Sequence, residues 1–314
     1  MKIAIAGSGA MGSRFGYMLH QSGNDVLLVD KWDEHIHEIN HCGLTVINEE
    51  GRKISKMKAL RPEETTKKVE LLIVFTKAMD TDLMLSSCTK IIGEKTRVLT
   101  LQNGLGNIET LERYVTKDRV LAGVTTFGTE LIGPGKIQAL GSGTVQITQV
   151  DGKITEEVEQ IAAIMNDAGM NADVSANALT SIWNKVAFNC VLNTVCTLMN
   201  DTVSAVGSYS QVNEVIEAII DEIILVAERE EIRLNQDEIT NMITEVFDPR
   251  MSGNHLPSMV QDMENGRKTE IDYLNGAIVS KGEKYGIPVP VNRIITHFIK
   301  MMEEIRDRKR IENV

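Results

Sequence analysis

Lys185, Asn189 and Asn193 stand at i, i+4 and i+8 within the stretch Trp183 to Asn193. On an α-helix each step of four residues turns about 40° past a full circle, so the three polar groups form one slanted row. Their neighbours Val186, Ala187, Val191 and Leu192 are apolar. A lysine so placed can stabilise and protonate an oxygen on which negative charge is growing, and two amides can orient a small polar molecule. Periodicity leaves two readings open: a polar strip lining a cleft, or a solvent-facing row beside a core face.

Such a strip needs a reaction partner, and the start of the chain has the pattern of a cofactor module. Lys2 to Ala6 is a short apolar run suited to a buried strand, followed by Gly7-Ser8-Gly9-Ala10-Met11-Gly12 and a helix-like segment to about His20. This is GxGxxG after a strand and at the opening of a helix, where free backbone N–H groups face phosphates. Gly7 permits a tight turn, Gly9 lets the backbone approach a pyrophosphate, and Gly12 lets helix and strand pack closely. Asp25 to Asp30 reads as the second strand, with Asp30 eighteen positions beyond Gly12. A carboxylate there can accept from both ribose hydroxyls and repels a 2′-phosphate, which favours NAD. The competing role for Asp30 is a cap on a helix from Lys31 to Asn40. Lys31 opposes the NAD preference by offering a cation beside it.

Leu44 to Asn48 and Lys53 to Ser55 form a hairpin pattern. Leu71 to Phe75 and Arg97 to Leu101 read as further buried strands, ending in Thr76-Lys77-Ala78 and in Gln102-Asn103-Gly104. Those endings lie where open α/β sheets bind ligands, so Asn103 is placed near the reactive end of a cofactor; its alternative is a turn residue before Gly104. Short β-like runs around Val124, Ile137 and Val145 are expected to extend the sheet as antiparallel strands. A helix from about Ile154 to Ala168 and a run at 172–174 close this half.

From Asn177 onward the periodicity is helical. The apolar stripe from Val212 to Ala227 reads as core. Asp248 to Gly253 reads as a loop. Ser258 follows a proline, and Thr269 with Asp272 resembles a capping box that would put Glu270 in the first turn of a helix. Locally, a cap for Ser258 and favourable charge–dipole placement for Glu270 compete with functional roles. The basic tail Arg306 to Arg310 reads as a solvated helix terminus.

The 314 residues are enough for two domains, and we place them at 1–175 and 176–314. The 44 acidic residues outnumber 33 basic ones, which argues against broad nucleic-acid binding. No long uncharged apolar run is present, so no transmembrane span is expected, and the start of the chain lacks the basic segment of a secretory signal. Cys42, Cys88, Cys190 and Cys196 include no CxxC pair and fit reduced thiols in the cytoplasm. His20, His35, His37, His41, His255 and His297 show no metal-ligand spacing, and no metal is expected.

Taken together, Lys185-x-x-x-Asn189-x-x-x-Asn193, and Ser258 twelve positions before Glu270 in Thr269-Glu-Ile-Asp-Tyr-Leu-Asn-Gly276, resemble the ketopantoate reductase family, as do the N-terminal glycine motif and Gln102-Asn103-Gly104. The resemblance covers nearly the whole chain. It implies an α/β architecture, an N-terminal Rossmann dinucleotide-binding domain followed by an all-helical C-terminal domain for substrate and dimerisation, with the active site between them. It further implies that Lys185 is the general acid and that Glu270 assists. Asn189, Asn193 and Ser258 then hold the substrate, and Asn103 lies beside nicotinamide and substrate. Lys77 matches a lysine that the family uses near the adenosine ribose phosphate.

Two departures point within the family. Asp30 stands where ketopantoate reductases commonly carry a basic residue for the NADP phosphate. A further asparagine that some members use for the hydroxyls of ketopantoate falls here near Val203. Together these resemble the branch that interconverts branched or aromatic 2-oxo acids and D-2-hydroxy acids with NAD, D-mandelate being one product. The expectation is therefore NAD as cofactor with NADP as the alternative, a small 2-oxo acid as substrate, a second copy of the chain as partner, and neither nucleic acid nor membrane. NADPH-dependent ketopantoate reduction is the runner-up. A dinucleotide sensor without catalysis is disfavoured by the intact Lys185 and Glu270.

Overall fold

The structure is a computed structural model that describes every residue except 251, 252, 254, 255, 313 and 314. Part of the expected 248–253 loop, and His255, therefore lie outside the described residues. The chain divides into two compact units, Met1–Gln102 with Asn107–Leu179, and Asn103–Gly106 with Thr180–Val314.

The first unit opens with β1 (Lys2–Ala6), α1 (Ala10–Gln21), β2 (Asp25–Val29) and α2 (Asp33–Cys42). β3 (Leu44–Asn48) and β4 (Gly51–Ser55) form the expected antiparallel hairpin. Then come β5 (Lys58–Leu60), β6 (Val69–Val74), α3 (Thr81–Ser87), β7 (Ile92–Thr100), α4 (Asn107–Leu111) and β8 (Val120–Thr125). The unit closes with β9 (Glu130–Gly133), β10 (Lys136–Gln138), β11 (Val145–Gln149), α5 (Glu156–Asp167) and β12 (Ala172–Val174).

The main sheet has the order β12-β11-β8-β7-β6-β1-β2-β5. From β5 to β8 every pairing is parallel. Ile3 to Ala6 and Leu71 to Val74 are buried on both faces, as strands of a covered parallel sheet must be, so their sequences are continuously apolar rather than alternating. Phe15 and Leu19 of α1 are fully buried against this sheet, each worth about 2 kcal/mol of apolar transfer. Chain order reverses between β1 and β6, the switch point at which open α/β sheets bind ligands beyond their strand ends.

Three features differ from expectation. The run Lys58–Leu60 had no strand signal, yet it pairs with β2 and forms the edge of the main sheet on that side. The run around Val124 pairs parallel to β7 on one side and antiparallel to β11 on the other, so the sheet turns antiparallel at β11, with β12 parallel to β11, and not at Val124. The run around Ile137 does not join that sheet at all. It is β10, in a four-stranded sheet of order β4-β3-β10-β9, where it pairs parallel with β3. The apolar face of the hairpin attracts it: Ile137 is buried beside Leu44 and Val46 in the same cluster.

The second unit is helical: α6 (Ala178–Met199), α7 (Val203–Gly207), α8 (Val212–Arg229), α9 (Gln236–Glu245), α10 (Ser258–Glu264), α11 (Asn275–Tyr285) and α12 (Pro290–Glu312). The first two residues of α6 belong to the first unit. Ile216, Ile219, Ile220, Ile223, Val226 and Ala227 of α8 are buried as the stripe required. The Glu222 carboxylate accepts from the backbone N–H of Val291 and of Asn292 at 2.8 and 2.9 Å, which anchors the start of α12 on α8. The basic tail is docked as well as solvated: Arg306 donates to the carbonyl of Arg267 at 2.8 Å, and Arg310 to that of Gly266 at 3.3 Å.

Candidate active site

The glycine turn after β1 is tightly built. A Cβ on Gly12 would stand 1.9 Å from the carbonyl oxygen of Gly7, so only glycine lets α1 sit this close to the strand end. Over Gly9, in contrast, a Cβ would meet nothing within 4 Å. Gly9 is also the N-cap of α1, and no side chain caps the helix. The start of α1 is thus left without a side-chain cap and with open space over Gly9, which fits a pyrophosphate at the positive end of a helix.

Asp30 follows directly on β2 and is tied to that turn. Its Oδ2 accepts from the Ser8 backbone N–H at 2.7 Å and from Ser8 Oγ at 3.1 Å. Its Oδ1 accepts from the backbone N–H of Lys31 and Trp32 at 2.8 and 3.1 Å. The helix cap itself is Trp32, so Asp30 makes a turn ahead of α2 and also faces the nucleotide turn. A carboxylate has about four acceptor positions, and of the four donors here Ser8 Oγ alone can rotate away.

The ends of β6 and β7 are joined by side chains. Gln102 Nε2 donates to the Thr76 carbonyl at 2.6 Å and to Thr81 Oγ1 at 2.7 Å, while Thr100 Oγ1 donates to Gln102 Oε1 at 3.0 Å. Gln102 therefore fixes the segment that carries Lys77, which is half-buried. Sequence reasoning read Gln102 as a strand ending and as part of the Gln102-Asn103-Gly104 motif, with no role of its own. His35 was likewise overlooked, except as a residue without metal spacing. It lies fully buried, with Nδ1 accepting from the Gly135 N–H at 2.9 Å, so the ring proton is on Nε2. Burial pushes its pKa down, against the Asp30 charge and a hydrogen bond with the Ser8 backbone. A neutral imidazole thus supports the turn from below. Its signal is position alone, two residues into the helix after Asp30.

In the second unit the polar row does not face bulk water. Asn189 and Asn193 are each 8% exposed, Lys185 is half-buried, and Val186, Ala187, Val191 and Leu192 pack into the core beside them. Burial lowers the Lys185 pKa from 10.5 to about 8, and the charge of Glu270 opposes that shift. Glu270 is itself buried. It caps a single 3-10 turn, Ile271–Tyr273, rather than lying in the first turn of a helix; α11 begins only at Asn275. The capping box expected from Thr269 and Asp272 reduces to Thr269 Oγ1 accepting from the Ile271 N–H at 3.4 Å. The Thr269 N–H donates instead to Glu303 Oε1 at 2.6 Å, which holds the Glu270 segment on α12.

Asn103 to Gly106 belong to this same unit: the Leu105 N–H donates to the Tyr273 carbonyl at 2.8 Å. Ser258 is exposed and is the first residue of α10, whose cap is Pro257, so Ser258 makes no side-chain cap bond. Lys185, Glu270, Asn189, Asn193, Asn103 and Ser258 thus belong to the second unit, and the glycine turn, Asp30 and Lys77 to the first. Asn275 steadies the row from behind, donating Nδ2 to the Cys190 carbonyl at 3.2 Å and to Asn292 Oδ1 at 3.0 Å.

Comparison with known proteins decides which family combines these parts. Residues 3–152 match the family model for ketopantoate reductase PanE/ApbA, and residues 177–303 match the model for its C-terminal part. A 2-dehydropantoate 2-reductase of Lactococcus lactis subsp. lactis (strain IL1403) is 38% identical, over 98% of this chain and 100% of that protein.

The chain belongs to the ketopantoate reductase family.

It is an oxidoreductase of that family, with the Rossmann domain followed by a helical domain that the resemblance implied. A solved structure of D-mandelate dehydrogenase with NADH and anilino(oxo)acetate is similar at a TM-score of 0.93 and 38% identity, covering 98% of this chain and 100% of that one. A 2-dehydropantoate 2-reductase of Archaeoglobus fulgidus is 30% identical over 96% of this chain and 98% of that protein. No helix among the described residues is long and apolar enough to cross a membrane.

Proposed function

We propose that this family member interconverts a branched or aromatic 2-oxo acid and its D-2-hydroxy acid with NAD(H). The observation that carries the reading is Lys185. It is a lysine on a buried polar row, with a carboxylate near enough to favour its charge and a pKa of about 8, so both protonation states are accessible near neutrality.

Residues 1–175 hold the cofactor in this reading, through the Gly7–Gly12 turn, Asp30 and Lys77. Residues 176–314 hold the substrate through Asn189, Asn193 and Ser258, with Asn103 contributing to both. NAD(H), when bound, supplies or accepts the hydride. Lys185 as ammonium hydrogen-bonds the ketone oxygen, stabilises the negative charge that grows there and donates its Nζ proton. In oxidation its neutral amine takes the alcohol proton. Glu270 keeps the ammonium form populated, the two asparagines orient the 2-oxo acid, and Ser258 donates to its carboxylate.

Asp30 supports NAD over NADP, because its carboxylate stands on the nucleotide turn at the ribose end. The apolar substrate is supported by Val203: it stands near the position where some members of the family carry an asparagine for the hydroxyls of ketopantoate, and it is an apolar residue buried in the core of the second unit. The D-mandelate dehydrogenase likeness points the same way. The second reading, NADPH-dependent reduction of ketopantoate, is favoured by the Lactococcus relative and by Lys31 and Lys77 near the nucleotide turn. The reading places the enzyme in the cytoplasm as a homodimer, a compartment in which its four free cysteines stay reduced.

The test is turnover of benzoylformate, 2-oxoisovalerate and ketopantoate, each with NADH and with NADPH. The proposal expects one of the first two with NADH to give the highest kcat/KM. Ketopantoate with NADPH in first place overturns it in favour of the second reading, and cofactor binding without turnover of any substrate would mark a sensor.

A further inference from the structure

Arg14 is a buried cation that none of the roles above uses. It stands on α1 four residues, about 6 Å of helical rise, beyond Ala10. It is only 5% exposed. Nη1 donates to the carbonyls of Gly128 and Leu140 at 2.6 and 3.0 Å, and Nη2 to that of Gly141. The guanidinium also lies over the Phe127 ring, 4.5 Å from its centroid. Burial pushes the Arg14 pKa down, and the charge of Glu49 opposes that shift. The hydrogen-bond partners are carbonyls rather than a carboxylate. A methionine would fill the space without the desolvation cost, so the guanidinium serves to hold these backbone groups in one arrangement.

The segments it holds lie at the ligand edge of the first unit. β8 is parallel to β7, so residues 126–129 leave the sheet at the C-terminal strand ends, where Thr76 and Gln102 also stand. β11 runs antiparallel to β8 with Val145 opposite Thr125, which brings residues 140–144 to the same edge. There the Thr126 N–H donates to the Thr144 carbonyl at 3.1 Å, and the Thr144 N–H to Thr126 Oγ1 at 2.9 Å. Glu49 takes the Gly141 N–H. Phe127 packs edge-on to Phe15 at 5.8 Å, and Phe15 packs on Phe75, just past β6, at 4.8 Å. Over the exposed Gly128 a Cβ would meet nothing within 4 Å, as over Gly9.

We propose that Arg14 is a positioning residue for the nicotinamide half of the cofactor. The inference rests on the reading of residues 1–175 as the NAD(H) domain and adds to it a residue outside the glycine motif. In that reading the ribose lies at β2 and the pyrophosphate at β1, so the nicotinamide half runs past β6 and β7 towards β8. Arg14 ties α1, whose start takes the pyrophosphate, to the segments after β8 and before β11. One guanidinium thereby sets how far the wall beside the nicotinamide stands from the phosphates. It acts through the carbonyls it holds and moves no proton. A lysine keeps the charge but presents its donors from one point, so it does not span three carbonyls on two segments as the arginine fork does.

Calorimetric titration of the full chain with NADH and with ADP-ribose tests this, since ADP-ribose keeps the adenosine and both phosphates and lacks the nicotinamide. Arg14→Met is expected to weaken NADH about tenfold and leave ADP-ribose within about twofold of the parent. Arg14→Lys should fall between parent and Arg14→Met. Glu49→Ala removes only the contact on Gly141 and should move NADH the same way by less. The emission of NADH bound to Arg14→Met should shift towards that of free NADH, because its nicotinamide is less firmly enclosed. Equal losses of both ligands would reduce Arg14 to a structural role and overturn the proposal. So would parental NADH affinity and emission in Arg14→Met. Should circular dichroism show that variant unfolded, Arg14→Lys and Glu49→Ala carry the same comparison. A parent that binds neither ligand defeats the reading of the first unit itself, whereas a parent that binds both, with variants that lose both alike, defeats only this inference.

Discussion

The backbone N–H of Leu105 donates to the carbonyl of Tyr273 at 2.8 Å. Tyr273 in turn donates its own N–H to the carbonyl of Glu270 at 2.9 Å. Two backbone bonds therefore link the segment that follows β7 to the backbone of Glu270, whose charge raises the Lys185 pKa against burial. The contact is close: Gly104 has φ +87°, and a Cβ there would stand 2.5 Å from the Tyr273 carbonyl oxygen.

Gly104→Ala should therefore disturb the second unit at its candidate site. A left-handed backbone costs about 1–2 kcal/mol for an L-residue before the clash is counted. We expect a lower Tm together with a fall in kcat that exceeds any change in cofactor affinity. An alanine variant with parental Tm and kcat would show that the Leu105–Tyr273 contact is dispensable.

Lys185→Ala should lower kcat by a factor on the order of 10²–10⁴, the range for losing a general acid. NADH affinity, measured by fluorescence titration, should persist, because the residues of the nucleotide turn belong to the other unit. Near-normal turnover by a folded variant would remove Lys185 from the mechanism.

The lowered Lys185 pKa gives a pH dependence with a definite sign. Reduction needs the ammonium form, so its kcat/KM should fall as pH rises through about 8, and oxidation should rise through the same region. Stability moves with it. The folded value, about 8, lies below the ordinary 10.5, so between those two the unfolded chain binds more protons and stability attributable to Lys185 increases with pH. Below about 8 both states are protonated and the burial cost is fully present. Paired pH profiles of the parent and Lys185→Ala test this; a rate inflection near pH 8 that survives the substitution would assign it to another group.

Asp30→Ser should weaken use of NADH and improve use of NADPH. The carboxylate is held by the Ser8 and Lys31 N–H groups, and in the proposed function it stands at the adenosine ribose, where a 2′-phosphate would meet like charge. Lys31 is exposed and screened, so its attraction does not reverse the preference of the parent. The ratio of kcat/KM for the two cofactors is the readout. An unchanged ratio would reduce Asp30 to the turn it makes ahead of α2.

The glycine turn, the strands on either side of it and the α6 row were legible in the sequence because each depends on neighbours in the chain. A buried parallel strand must be apolar throughout, as Leu71 to Val74 are, and an α-helix puts Lys185, Asn189 and Asn193 in one row whatever surrounds it. Tertiary structure decided the rest. Lys58–Leu60 becomes a strand only because β2 offers it an unpaired edge, and Ile137 joins the second sheet because the apolar face of β3 lies there. Glu270 caps a 3-10 turn because Glu303, on another helix, takes the Thr269 N–H that a local cap would have used. Whether the Lys185 row met water or core, and hence the pKa of its amine, depended on which helices packed over α6, since desolvation is set by the atoms that surround a charge and those come from distant parts of the chain.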